Sequence, residues 1–235
     1  MTAGRARAVG GAVLPFPRDR RVQRLVQVVV GQTLYGVGIC LLVRANLGLD
    51  PWDVLHQGIS KMTGIPIGLV SNGIGALLLL LWIPLRQRPG VGTLFNVVIV
   101  GVAADAALDL VPQLRAMAIR VPVMISGVAL IAAATALYIG AGLGPGPRDG
   151  LMTGLHARGL GSIRVVRTCI ECTVLCVGWL LGGSVGIGTL LFAATIGVLV
   201  QFMLRPLTLR PAPAALHAAL LPRDPRDTAA VFNGD

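Results

Sequence analysis

Residues 25–43, 65–85 and 121–139 contain no charged side chain. Each is close to the roughly 20 residues that a helix needs to cross the hydrocarbon of a bilayer. Residues 92–112 are as long and apolar but carry Asp105 and Asp109. Beyond Arg167 the pattern needs dividing. Residues 172–204 form a charge-free run of 33 positions, too long for one crossing and too short for two. The cluster Gly182-Gly183-Ser184-Val185-Gly186 is a turn signal, so one crossing is predicted over 187–204. The one before it must start near Ser162 and end near Leu181, which places Glu171 near its middle and Arg167 one turn earlier.

A chain with this much apolar length has no polar surface to cover a globule. Charged residues make up 13% of it and hydrophobic ones 54%, whereas soluble domains carry roughly 25% charged residues. Lipid must be its main solvent. The net charge of +10 lies between the apolar runs rather than on a water-exposed face, which excludes a nucleic-acid partner. With six crossings and a cytoplasmic N-terminus, the inside segments hold 16 of the 20 basic residues and the outside segments hold Arg44, Lys61, Arg115 and Arg120. That bias obeys the positive-inside rule and places both termini in the cytoplasm. The Arg-rich residues 1–24 read as a cytoplasmic N-terminus leading into an uncleaved first span. Residues 205–235, interrupted by Pro206, Pro211, Pro213, Pro222 and Pro225, read as a disordered cytoplasmic tail with room for a short surface helix over 214–221.

The halves 25–112 and 121–204 are related. A shift of 96 lays Leu47-Gly48 and Pro51-x-Asp53 over Leu143-Gly144 and Pro147-x-Asp149, and Gly90-x-Gly92-Thr93-Leu94 over Gly186-x-Gly188-Thr189-Leu190. Two separate motifs in one register predict a duplication. Three crossings per half flip the second copy, so the fold class is all-α, a polytopic membrane protein of six helices in two inverted three-helix repeats.

Each repeat carries one short non-spanning helix. Pro51 and Pro147 suit a first helical turn, and Asp50, Asp53 and Asp149 suit its cap or first turn. The helices are predicted to run through Gly58 or Ser60 and to about His156. They either lie on the surface or dip in as half-helices from opposite sides, with N-termini directed inward. Asp53, Asp149 and the adjacent Arg148 read either as helix-start chemistry or as groups on a pathway. Glu171 with Arg167 at i−4, and Asp105, read either as packing locks or as an ion or proton site, because a charge at membrane depth is costly unless it has such a role.

The stretch from Leu47 to Gly58, the stretch from Leu143 to Met152 and the pair Arg167 and Glu171 together resemble the YczE-like (YczE/YyaS/YitT) bacterial integral membrane proteins. The resemblance covers roughly residues 25–204. It implies a polytopic plasma-membrane protein and brings no substrate, reaction or residue role.

Other chemistry is weaker. Gly182-x-Ser184-x-Gly186 has the spacing of a nucleophile elbow but joins two membrane helices, and no His follows to complete a triad, so no enzyme is expected. Cys169, Cys172 and Cys176 share a helical face without a His nearby and read as packing residues; neither metal nor cofactor is expected. His56 and His156 read as polar surface. The leading expectation is a small transporter or channel for an unknown ion or small solute, embedded in the lipid bilayer, for which a homo-oligomer is as compatible as a monomer. The alternative is a non-transporting membrane protein that binds or regulates a partner.

Overall fold

The computed structural model describes residues 20–209; the expectations for the N-terminal segment and the Pro-rich tail fall largely outside them. The described residues form eight helices: α1 Arg21–Ala45, α2 Pro51–Thr63, α3 Ile67–Leu85, α4 Val91–Leu110, α5 Met117–Gly140, α6 Pro147–Ala157, α7 Ile163–Leu180 and α8 Ile187–Leu207. Every helix of the second four begins 96 residues after its counterpart, as 21 and 117, 51 and 147, 67 and 163, 91 and 187 show.

Five of them, α1, α3, α4, α5 and α8, are long and apolar enough to cross a membrane. A helix, α7, 18 residues long, occupies the region predicted as a crossing over 162–181. It carries Arg164, Arg167 and Glu171 and is not among the five. The spanning helices leave many large apolar side chains exposed, including Leu80, Ile83, Val98, Leu190 and Phe202; in a bilayer these face lipid.

The centre of the fold is α1 against α5. They run antiparallel and approach through small residues. A side chain on Gly31 would press on the α5 backbone near Tyr138, and one on Gly38 would strike Ile131. Each helix is held at its end by an arginine from the other. Arg24 donates to the Ala141 carbonyl at 2.6 Å and Arg120 to the Ala45 carbonyl at 2.6 Å, and both donors and both acceptors are 96 residues apart. Leu42, Leu49, Val54, Met124, Val128, Ile131 and Phe192 fill a core beside this contact.

The loops preceding α2 and α6 are exchanged between the halves. Gly188 N–H donates to the Leu47 carbonyl at 2.8 Å, and Gly92 N–H to the Leu143 carbonyl at 2.9 Å. These bonds satisfy helix-start donors that have no intrahelical partner. They require backbone contact, which the facing Gly48–Gly186 and Gly90–Gly144 pairs allow; Gly48 and Gly144 also hold positive φ, 114° and 120°, where a side chain is strained. The short helices are exchanged too: α2 packs on α7, and α6 on α3.

One pair of seams is unequal. α3 packs along α4: Gly68 and Gly101 meet backbone to backbone, Asn72 accepts from Gly101 N–H at 3.1 Å, and Asp105 accepts from the Gly68 and Leu69 N–H groups at 2.7 and 3.0 Å. The corresponding positions in α7 and α8 are Arg164, Gly197, Thr168 and Gln201. α7 and α8 do not pack along one another, and a side chain on Gly197 would meet nothing within 4 Å.

Candidate functional site

The local start signals of α2 and α6 fold as their residues dictate. Asp50 caps α2, its Oδ1 accepting from Asp53 N–H at 2.6 Å, with Pro51 at the first position. In α6, Pro147 takes that position and Asp149 Oδ2 accepts from Gly146 N–H at 3.3 Å. Both helices outrun or match the expected length, ending at Thr63 and Ala157.

Packing fixes their direction. Along α2, Leu55 lies against Gly178, while Lys61 near the other end donates to the Gly182 carbonyl at 2.8 Å in the loop after α7. Along α6, Trp82 Nε1–H donates to the Pro147 carbonyl at 3.0 Å, while Gly154 sits beside Leu85 and Gln87 at the end of α3. Each short helix therefore starts in the interior and runs outward, and the two starts meet. Arg148 reaches Asp50 Oδ2 at 3.4 Å and Asp53 Oδ1 at 3.5 Å, with its guanidinium 5.1 Å from the centre of the Trp52 ring. Placement over an aromatic face favours a cation.

This junction forms one wall of a cavity of about 310 Å³. Asp50, Trp52, His56, Arg148 and Asp149 lie on it, with Tyr35 from α1 and Tyr138 from α5. The two tyrosines meet edge to face, 6.4 Å between centroids. Apolar wall comes from Leu78, Ile131 and Phe192 among others. Burial pushes the Asp50 carboxyl up to about 6, the Asp53 carboxylate adding to the rise and Arg148 opposing it. Burial also raises Asp53 and lowers His56 to about 3, because a low-dielectric setting disfavours the charged form. His56 is therefore a neutral ring.

The sequence-predicted residues separate into three groups. Asp53, Asp149, Arg148, Pro51 and Pro147 come together at the junction. Arg167 and Glu171 pair at 2.7 Å and lie on the cavity's flank. They are 55% and 30% exposed in the chain, more open than a mid-membrane position implied, because α8 does not close over α7. Asp105 stands apart and caps the start of α3.

Three readings change. His56, expected at the surface, is 1% exposed, its Nδ1 3.0 Å from Asp53 Oδ1; His156 is the exposed one, with Nδ1 2.8 Å from the Gly161 carbonyl. Asp50, read as a cap, is also an ion-pair partner. Tyr35 and Tyr138 were not singled out at all; a hydroxyl in an otherwise apolar run is the signal that marks them. Among the described residues no group of three His, Cys, Asp or Glu is placed to hold a metal ion.

Comparison with known proteins agrees with this picture at the level of family. The profile of a family of unknown function, DUF6198, matches residues 22–205. An uncharacterized protein of Haemophilus influenzae is 42% identical over 73% of this chain and 79% of its own length. Two Bacillus subtilis proteins also match: the uncharacterized membrane protein YczE, 34% identical over 74% of this chain and 82% of its own, and the uncharacterized protein YyaS, 28% identical over 73% and 88%. These are YczE-like proteins, as the paired motifs implied. No solved structure matches the chain significantly.

Proposed function

The chain belongs to the family of unknown function DUF6198, and from that premise we propose that it is a small plasma-membrane transporter built as two inverted three-span halves around a central site. The observation that carries this reading is the junction itself. Arg148 in the first turn of α6 contacts Asp50 and Asp53 at the start of α2, beside a cavity. Helices lying flat on opposite membrane surfaces would stand about 30 Å apart. Half-helices entering from the two faces bring their starts together, the arrangement used for central sites in transporters.

Three further features support it. The antiparallel α1 and α5, bonded by equivalent arginines, are what a two-fold axis in the membrane plane would produce. α7, at 18 residues and about 1.5 Å per residue, has roughly the length of the hydrocarbon layer, and its Arg167 and Glu171 lie on the flank of the cavity. It serves as the sixth span. The surplus of arginine in the inside segments orients both termini to the cytoplasm.

Reconstitution in liposomes tests the proposal. The purified chain should move protons, an inorganic ion or a small organic solute from a defined panel. Asp53→Asn and Asp149→Asn should each abolish flux while the protein still inserts and elutes as a folded species, since Asn caps a helix about as well as Asp. Flux retained in both variants would reduce these residues to caps. No flux of any panel member from the folded wild type would leave the partner-binding alternative.

A further inference from the structure

The polar atoms left without partners around the junction are mostly acceptors. His56 Nδ1 faces the Asp53 carboxylate at 3.0 Å, so Nδ1 carries the hydrogen and the ring's other nitrogen, Nε2, presents a lone pair. Nε2 has no partner among the described residues, although His56 is 1% exposed and lies on the cavity wall. Nε2 is shielded from water-sized groups as well, so the open acceptor surface of the wall lies elsewhere, at Asp149. Asp53 Oδ2 is unpartnered as well. Asp149 accepts from Gly146 N–H, but no described cation lies within the 4.0 Å of an ion pair. Against these stands one buried donor without a partner, Trp52 Nε1.

The fixed charges lean the same way. Arg148 is taken up by Asp50 and Asp53, and Arg167 by Glu171, so Asp149 makes no direct ion pair and feels both arginines only at longer range. The N-terminal ends of α2 and α6, where an anion would otherwise be held, are already filled by the carboxylates of Asp50 and Asp149. The aromatic walls suit a cation, and Arg148 over Trp52 shows that a guanidinium stacks there.

We propose that the cavity binds a small organic cation, an ammonium or guanidinium head with several N–H donors carried on a short apolar body. The head would pair with Asp149 beside the Tyr35 and Tyr138 rings, and the body would lie against Ile131 and Phe192. The space limits its size: at about 30 Å³ per water-sized group, a cavity of about 310 Å³ takes on the order of ten heavy atoms. The inference deepens the transporter reading and rests on it for its biological sense, but binding is measurable without flux.

Four probes with a common four-carbon body decide it: butylammonium, butylguanidinium, butyramide and butyrate, titrated by calorimetry into the full chain in detergent at constant ionic strength. The two cations should bind saturably and butyramide about tenfold more weakly or worse, with butyrate not binding. Asp149→Asn should weaken cation binding about tenfold, whereas Asp109→Asn, which removes the same charge outside the cavity, should not. Butyrate or butyramide binding as tightly as the cations, no saturable binding of any probe, or unchanged cation affinity in Asp149→Asn would overturn the proposal. The selectivity series uses the wild-type chain, so a misfolded variant leaves the test intact. Cation binding without liposome flux would sink the transporter reading alone; flux without cation selectivity would sink this inference alone.

Discussion

Gly150 and Gly178 show how single residues tie the halves together. A Cβ on Gly150 would overlap the ring of Trp82, and one on Gly178 would overlap the backbone of Val54 and Leu55. The contacts correspond, since 54 and 150, and 82 and 178, differ by 96, but the sizes are exchanged: Trp82 fills the space over Gly150, and Val54 the space over Gly178. Replacing Gly150 with Ala opposes two effects. Helix propensity favours Ala by about 1 kcal/mol, while forcing a methyl into a packed interior costs about 1–3 kcal/mol. The indole is held by its bond to Pro147 and has little room to move, so the clash should win. Gly150→Ala is expected to lower the thermal midpoint in detergent; an unchanged or higher midpoint would show that Trp82 can swing aside. Little of this was visible in the sequence. Glycine marks close approach, but what approaches it belongs to the other half of the chain.

The short helices α2 and α6 depend on each other through Arg148. With Arg148 removed, Asp50 and Asp53, 4% and 0% exposed, are left as carboxylates without their cation. Breaking a buried ion pair from one side costs about 3–5 kcal/mol. Arg148→Ala should therefore destabilise the chain more than Arg148→Ala combined with Asp53→Asn, in thermal unfolding of the detergent-solubilised protein. Additive losses would mean that the junction does not act as a unit. At this scale much was legible. Pro51 and Pro147 with their following Asp residues predicted two short helices at their observed starts, because capping is local chemistry. The sequence allows those starts to meet in the interior or to lie apart on the two surfaces, and capping chemistry does not choose between them. His56 was misread for the same reason: one histidine on a short polar helix gives no sign of burial until Asp53 and the packed α7 enclose it.

For the whole molecule the topology is the sharpest claim. In a cysteine-free background, single cysteines at the exposed positions Met62, Arg86, Arg115, Arg158 and Gly182 should react with an impermeant maleimide in the order out, in, out, in, out. Two neighbouring sites on one side would remove the six-span arrangement and with it the inversion. The 96-residue register and the placing of the apolar runs were legible because they are one-dimensional properties. The distribution of charge also pointed to α7 as an unusual crossing, with Glu171 and Arg167 one turn apart. That its flank would stand open beside α8 was not legible, since it depends on which seams close.

That unequal pair of seams has a consequence for motion. On the two-repeat reading, two copies of one plan held in different shapes describe between them a second shape for the whole. If α7 drew onto α8 as α3 lies on α4, while the α3–α4 seam parted, the entrance to the cavity would move to the opposite face without any new fold. The two poses would not be equal in energy. Asp105 fastens the start of α3 with two hydrogen bonds, and the matching position on α8 is the uncharged Gln201. On the transporter reading, the fastening on one seam has no full twin on the other, and the two poses would be unequally populated.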